Sequence, residues 1–138
     1  MIVAQIAASL GKVPGISDHF CGSAVVYRER TKVQWLEVDA NQLRQHTAVS
    51  REVTQSLARN VIRHTDEATL SLAVTGHLGP NAPDDQDGEL HLVVCARQAG
   101  KVVETTAVTH RLQPADRSER QTAAVRLALE LLRDQLQD

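Results

Sequence analysis

Aromatic residues are almost missing from this 138-residue sequence, which contains one Trp, one Tyr and one Phe. Proteins that bind single-stranded nucleic acid usually stack the bases on aromatic side chains, so the shortage argues against this class of ligand. Positive charge is not in excess either, because 15 Lys and Arg residues are matched by 17 Asp and Glu residues. Since binding to a phosphate backbone needs a basic surface, we expect no nucleic-acid partner.

Cysteine is also scarce, and its spacing excludes the common metal and redox motifs. Cys21 and Cys95 are the two cysteines, without a C-x-x-C pair, and the six histidines form no His-x-x-x-His pair. We therefore predict two buried, unpaired thiols and no metal site. No apolar run approaches the roughly 20 residues that cross a bilayer, and no basic segment leads into a cleavable apolar stretch at the N-terminus. These absences predict a cytoplasmic protein without a membrane partner.

The apolar residues that are present, 42% of the chain, suffice for one core and predict one domain over residues 1–138. The apolar spacing alternates between helical and strand patterns along the chain. Asp39 and Ser50 are expected to cap two of the helices, and Asp116 or Ser118 to open the last one. The predicted helices cover residues 1–10, 31–37, 39–46, 50–62 and the C-terminal segment. The predicted strands cover residues 22–28, 69–75, 89–96 and 102–110. This order predicts a three-layer α/β/α fold with a mixed sheet covered by helices.

Three features could have a chemical role, and each of them also has a simpler structural explanation. Lys32 follows a predicted strand closely enough to reach a cleft at the sheet edge, or it is a solvated helix lysine. Residues 75–80 (TGHLGP) leave a strand through two glycines, which lets backbone N–H groups approach an anion, or they form an ordinary turn; His77 lies within them. Arg117 and Arg120, at the start of the last helix, could hold a phosphate, or lie exposed on its outer face.

Four segments in order resemble the signature of the C-terminal domain of the CinA (competence/damage-inducible) family. The family has a V-P-G-S-S turn, a strand ending in Y-S-N-E-A-K, a G-A-V-S helix start and a T-G-I-A-G-P loop, and the tail at residues 115–117 (ADR) resembles its G-D-R. The corresponding segments here are residues 13–17 (VPGIS), 22–32 (GSAVVYRERTK), 48–53 (AVSREV) and 75–80 (TGHLGP).

The resemblance implies the family's reaction, hydrolysis of nicotinamide mononucleotide to nicotinate mononucleotide and ammonia, without a cofactor. Lys32 matches the lysine thought to activate a serine nucleophile, and Tyr27, which matches the tyrosine of the same segment, is assigned with it to the catalytic residues. Thr75, Gly76, Gly79 and Arg117 match positions that contact the substrate, with Arg117 on the phosphate. Family members commonly associate, so the resemblance also implies a homo-oligomer, for which the small residues of the first helix offer one contact surface.

The family's serine nucleophile has no counterpart in this sequence. Counting back from the V-P-G turn, it would fall about one residue before Met1, and Val3 and Ala4 would stand where the family has glycines. We therefore expect the family's first strand and nucleophile segment to lie upstream of Met1. The alternative is a diverged, catalytically inactive member that binds nucleotides or has a regulatory role.

Overall fold

The computed structural model describes residues 2–137 and contains five α-helices and three β-strands in this range. Two short 3-10 turns, Ile16–Asp18 and Asp84–Gln86, lie in the connections. The helices are α1 (Ile2–Leu10), α2 (Glu29–Leu36), α3 (Ala40–His46), α4 (Arg51–Arg63) and α5 (Arg117–Leu136), and the strands are β1 (Leu70–Gly76), β2 (Glu89–Gln98) and β3 (Lys101–Arg111).

The sheet has the order β1-β2-β3, with β2 in the centre, and both pairings are antiparallel. The α/β class is confirmed, but the predicted mixed sheet is a three-stranded antiparallel one in the described residues. The predicted hairpin between β2 and β3 is also present, and its turn residues Ala99 and Gly100 have φ angles of 52° and 78°. Two consecutive left-handed residues match the twist of the flanking strands and hold the hairpin in register.

Helices cover both faces of the sheet, as the prediction of three layers requires. Helix α4 packs on one face, with α2 and α3 beside it, while α1 and α5 pack against the other. The α4-side core consists of Leu36, Val38, Leu43, Val53, Leu57, Ala58, Ile62, Ala68, Ala73, Val93 and Cys95. The α5-side core consists of Ile2, Ile6, Leu78, Leu90, Leu92, Leu112, Ala124, Val125 and Ala128. Strand β2 contributes alternate residues to both cores, which explains its continuous burial.

The predicted helix starts are confirmed by their capping hydrogen bonds. The carboxylate of Asp39 accepts from the Asn41 N–H at 2.7 Å, and Ser50 Oγ accepts from the Val53 N–H at 3.2 Å. Asp116, rather than Ser118, caps α5 by accepting from the Glu119 N–H at 2.8 Å. Each cap satisfies a backbone donor that has no partner inside the helix, so three helix positions are fixed by local sequence.

The strand predicted at residues 22–28 is wrong. Residues 22–27 have no regular secondary structure, and α2 begins at Glu29, two residues before the predicted start. Ala24 and Val26 pack against the α4-side core, which accounts for the apolar run that suggested a strand. A strand needs a neighbouring strand to satisfy its backbone hydrogen bonds, and residues 2–137 supply none here.

Two smaller expectations also need correction or restriction. Cys95 is buried as predicted, but Cys21 is exposed. Helix α1 packs on α5 and buries Ile2 and Ile6, whereas Met1, part of the predicted helix, lies outside the described residues. In residues 2–137 every helix is too short or too polar to traverse a bilayer.

Candidate functional site

A cavity of about 330 Å³ lies where the end of β1, residues 25–27, the start of α4 and the start of α5 meet. Its volume is at the lower end of the range for small-molecule sites, about 300–1,000 Å³. It is lined by all six residues that the resemblance assigned to the site, Tyr27, Lys32, Thr75, Gly76, Gly79 and Arg117. These residues lie up to 90 positions apart in the chain, so the fold brings the predicted site together.

Lys32 is buried in the wall of this cavity, with 6% of its surface exposed, so the simpler explanation of a solvated lysine is wrong. Helix α2 directs its side chain back toward residues 26–27, where Nζ donates to the Val26 carbonyl at 3.1 Å and to the Tyr27 carbonyl at 3.0 Å. Burial lowers the pKa of Lys32 because the ammonium loses its hydration, and the nearby Glu29 carboxylate partly opposes this shift. The lowered pKa makes the neutral amine, which can accept a proton, more accessible near neutral pH.

Thr75 lines the same cavity at the end of β1 and is 8% exposed. Its hydroxyl is 2.8 Å from that of Thr54, a fully buried residue in the first turn of α4. Thr54 does not line the cavity, and sequence analysis missed it, because the only signal is a hydroxyl residue four positions after the helix cap Ser50.

The glycine-containing loop at residues 77–88 forms one wall of the cavity and is closed at its base by backbone hydrogen bonds. The His77 N–H donates to the Glu89 carbonyl at 2.8 Å, and the Gly88 N–H donates to the His77 carbonyl at 2.9 Å. A Cβ at Gly76 would make a tight contact of 3.0 Å with Leu90 Cδ1, and Gly79 has a φ of 71°, which favours glycine. Gly76 and Gly79 both line the cavity.

The two arginines at the start of α5 have different roles. Arg117 is exposed and lines the cavity, where its guanidinium donates to the Gly79 carbonyl at 2.7 Å. Arg120, predicted to lie on the outer face of the helix or to hold a phosphate with Arg117, is 4% exposed. Its guanidinium instead pairs with both carboxylate oxygens of Asp87, at 2.7 and 2.9 Å. Because Arg120 is engaged by Asp87, Arg117 is the one arginine among the described residues that line the cavity.

Arg120 also holds the cavity loop from behind. It donates to the Leu78 carbonyl at 3.3 Å and to the Gln113 carbonyl at 3.2 Å, linking the loop to the segment before α5. The hydrogen bond from Arg120 is the main cause that lowers the pKa of Asp87. Arg111 adds bonds to the carbonyls of Asp85 and Asp87, at 3.0 and 2.9 Å. The Asp87 carboxylate and the backbone carbonyls of Asp85 and Asp87 thus fasten the loop to Arg120 and Arg111.

The charge of the cavity favours an anionic ligand. Lys32, His77 and Arg117 are the side chains among the described lining residues that can be positively charged, and none of those residues is Asp or Glu. Tyr27 is 67% exposed and therefore belongs to the mouth rather than the buried end. The described residues contain no group of three or more His, Cys, Asp and Glu arranged to hold a metal ion.

Gly88 gives a test of the loop closure. A Cβ at this position would lie 2.6 Å from the Leu112 carbonyl oxygen, and its φ is 80°. We expect Gly88→Ala to lower the free energy of unfolding by about 1–3 kcal/mol, the usual size of a strained backbone position, in chemical denaturation. Gly22→Ala is the matched control, because nothing lies within 4 Å of a Cβ there, and equal stability of the two variants would contradict the closure.

A second depression, of about 420 Å³, runs along α5 and is larger than the cavity at Lys32. It is formed by one face of a single helix and contains none of the predicted site residues. Its lining is Thr122, Val125, Arg126, Leu129, Glu130 and Arg133. The convergence of buried and charged groups distinguishes the cavity at Lys32 as the candidate site.

Comparison with known proteins decides the family. The family model of the CinA C-terminal domain matches residues 4–136 of this chain. The chain belongs to this family. A CinA-like protein of Myxococcus xanthus is 38% identical over 133 residues, which cover 95% of the chain and 30% of the relative. A CinA-like protein of Solibacter usitatus is 33% identical over 131 residues, covering 94% of the chain and 30% of the relative. The chain thus spans about a third of the length of these curated relatives.

Solved structures of the CinA family share the fold. A competence/damage inducible protein from Agrobacterium tumefaciens aligns with a TM-score of 0.85 at 30% identity, over 95% of this chain and 78% of that one. A competence damage-inducible protein A from Klebsiella pneumoniae aligns with a TM-score of 0.86 at 23% identity, over 98% and 81% of the two chains. Membership of the CinA C-terminal domain family and its α/β fold are therefore shown.

Proposed function

We propose that this chain is a nicotinamide-nucleotide amidase domain, which binds nicotinamide mononucleotide in the cavity at Lys32 and supports hydrolysis of its carboxamide to a carboxylate and ammonia. The observation that carries the proposal is the burial of Lys32, with a lowered pKa, in a cavity shared with Thr75 and Arg117. A buried amine beside an anion-binding group suits a reaction that needs a base at one end of a phosphorylated substrate.

The difference in burial between the two ends of the cavity supports one orientation of the mononucleotide. Lys32 and Thr75 are less than 10% exposed, whereas Arg117 is exposed. A phosphate is strongly hydrated and suits the exposed end, where a guanidinium can form two hydrogen bonds with it. The uncharged carboxamide is the cheaper group to desolvate and belongs at the buried end. This orientation brings the reacting carbon to Lys32.

Lys32 would act as the base that takes the proton of a hydroxyl nucleophile. Nζ donates hydrogen bonds to the Val26 and Tyr27 carbonyls. In the neutral amine its two N–H groups can make both of these bonds, and the remaining position on the nitrogen holds the lone pair that accepts a proton. The hydroxyl would pass its proton to Lys32 and add to the carboxamide carbon. The C–N bond would then break as Lys32 returns this proton to the nitrogen, which leaves as ammonia, and water would hydrolyse the resulting ester to the carboxylate and the free hydroxyl. The N–H groups near Gly76 and Gly79 are the candidate donors to the oxyanion.

The nucleophile is proposed to be a serine supplied from outside residues 2–137, because neither serine nor cysteine occurs among the described residues that line the cavity. The same observation favours a second candidate function, a nucleotide-binding or regulatory domain without catalysis. The two candidates share the ligand and differ only in whether ammonia is released. A homo-oligomer and a cytoplasmic location remain predictions from sequence.

The test combines ammonia release with ligand binding. We expect the 138-residue chain to bind nicotinamide mononucleotide, and a form extended at its N-terminus to the serine-containing segment to release ammonia from it. We also expect Arg117→Ala to raise the Kd for this ligand about tenfold by calorimetry, the effect of losing a charged hydrogen bond, while binding of nicotinamide riboside, which lacks the phosphate, is unaffected. Arg126→Ala, which changes an exposed arginine elsewhere on α5, is the matched control.

Binding without ammonia release from either form would favour the regulatory candidate. Absence of binding to the mononucleotide would contradict both functions. If Arg117→Ala weakened binding of the riboside as much as binding of the mononucleotide, the assignment of Arg117 to the phosphate would be contradicted.

A further inference from the structure

We infer that Thr54, a buried residue that does not line the cavity, orients the Thr75 hydroxyl so that the site prefers a carboxamide to the corresponding carboxylate. The inference rests on the proposed function, because it concerns the buried end where the carboxamide would bind.

The hydroxyl proton of Thr54 is committed to the helix backbone. Thr54 Oγ1 lies 2.5 Å from the Ser50 carbonyl oxygen, and Thr54 is fully buried. A carbonyl oxygen can only accept, and two oxygens at this distance repel one another unless a proton lies between them. The proton must therefore come from Thr54, as in the usual bond of a helical threonine to the carbonyl four residues earlier.

The hydrogen bonds of the neighbouring hydroxyl groups agree with this assignment. The Ser50 hydroxyl donates to the Thr47 carbonyl at 2.8 Å and accepts from the Val53 N–H, so it is occupied by the cap. The remaining contact of Thr54 Oγ1 is the Thr75 hydroxyl at 2.8 Å. Because the single proton of Thr54 is already used, the proton of this second bond belongs to Thr75.

Thr75 can consequently offer only lone pairs to a ligand in the cavity. Its one hydroxyl proton is directed to Thr54, away from the ligand, and its position at the end of β1 is fixed by the pairing with His91 in β2. A carboxamide N–H₂ group can donate to this oxygen, whereas a carboxylate has no proton to give and would face it with a lone pair. Thr75 thus selects the substrate, and Thr54 sets the direction of that selection.

The test compares nicotinamide mononucleotide with nicotinate mononucleotide, which share the phosphate and differ at the carboxamide. In Thr54→Val the Thr75 hydroxyl loses its acceptor and is able to turn its proton toward a carboxylate. We expect the ratio of the Kd for the acid to the Kd for the amide to fall about tenfold in calorimetry, the size that one misplaced buried hydrogen bond predicts. Thr54→Ser keeps a hydroxyl and is expected to restore the ratio.

Thr65→Val is the matched control, because Thr65 makes the same bond to a carbonyl four residues earlier, to Val61 at 2.8 Å, at the opposite end of α4. Its ratio should equal that of the unsubstituted protein. An unchanged ratio in Thr54→Val would overturn the inference and leave the proposed function standing. Failure of the unsubstituted chain to bind either mononucleotide would overturn the proposed function and this inference with it.

A measurement on the unsubstituted protein covers the case in which Thr54→Val does not fold. Both hydroxyl protons are expected to exchange slowly enough for proton NMR, since the hydroxyls are buried. The Thr75 hydroxyl proton should show strong cross-peaks to the side-chain protons of Thr54, and the Thr54 hydroxyl proton should show them to protons of the α4 backbone. The reverse pattern, with the Thr54 proton directed to Thr75, would overturn the inference.

Discussion

Replacement of Lys32 by methionine is expected to reduce ammonia release from nicotinamide mononucleotide about a thousandfold, within the range that general bases contribute. Methionine has a similar length and can occupy the buried position, but it has no lone pair of comparable basicity. The measurement is kcat under saturating substrate, in the form of the protein that shows activity. Because Lys32 is proposed to act on the nucleophile, we expect a much smaller change in the Kd for the substrate.

The Lys32→Arg variant distinguishes a role of Lys32 as a base from a role of its positive charge. Arginine keeps the positive charge, but its guanidinium remains protonated at every pH at which the protein is folded, so this variant should also be inactive. Lys12→Met, which replaces an exposed lysine in the turn after α1, should retain full activity. Activity in Lys32→Arg close to that of the unsubstituted protein would show that Lys32 acts through its charge and not as a base.

The pH dependence of the reaction follows from the lowered pKa of Lys32. The neutral amine is the active form of a base, so kcat should rise as pH increases through the pKa of Lys32. Burial places this pKa below the ordinary value for lysine of about 10.4, which brings the rising limb nearer to neutral pH. A limb centred at or above the ordinary lysine value would exclude Lys32 as the base.

Replacement of Arg120 by methionine is expected to lower the free energy of unfolding by about 2 kcal/mol or more and to weaken binding in the cavity. Methionine removes the donors to the Leu78 and Gln113 carbonyls, and a hydrogen bond from a charged donor contributes about 1.5–3 kcal/mol. The change also releases the loop that contains Gly79. Denaturant unfolding and calorimetric titration with nicotinamide mononucleotide measure the two effects.

The controls for Arg120 separate its geometry from its charge. Arg126→Met removes an exposed guanidinium 3.9 Å from Glu130 on the same helix and should change stability by less than about 0.5 kcal/mol. Arg120→Lys keeps the charge but cannot form two parallel bonds to Asp87, so it should restore only part of the loss. A stability equal to that of the unsubstituted protein in Arg120→Met would contradict the role of this residue.

Acid sensitivity provides an independent check of the Arg120–Asp87 pair. The hydrogen bond from Arg120 lowers the pKa of Asp87 in the folded protein below the value of about 3.9 in the unfolded chain. Between these two values the unfolded chain binds more protons, so the contribution of the pair to stability is present above them and is lost as pH falls through the lowered pKa. Asp87→Asn should remove this acid-dependent component, whereas Asp84→Asn should keep it.

The parts of the fold that depend on neighbours in sequence were predictable. Asp39, Ser50 and Asp116 cap helices because their side chains reach N–H groups two or three residues ahead, and the turn at 99–100 joins two strands that are adjacent in the chain. The strand predicted at residues 22–28 depended on a distant partner, and its apolar residues instead pack against α4. Its composition could not distinguish these two ways of burying the same side chains.

The candidate site was predictable from resemblance and only partly from the residues themselves. Lys32 and Arg117, which the resemblance assigned to one site, line the same cavity, but a buried lysine is rare enough that sequence alone favoured a solvated one. Arg120 was assigned to the outer face of α5, although its spacing of four residues from Ala124 belongs to the buried stripe. The reason it can be buried is Asp87, 33 positions earlier, which no local pattern connects to it.

The sequence by itself determined the membership in the CinA C-terminal domain family, the helix caps and the hairpin, because these follow from local hydrogen bonding and from ordered motifs. Only the tertiary structure decided which polar groups face one another across the chain. The burial of Lys32 among carbonyl oxygens, the pair of Arg120 with Asp87, and the contact of Thr54 with Thr75 each join residues from different elements. Their protonation and hydrogen-bond direction depend on that packing, since burial removes the water that would otherwise satisfy them.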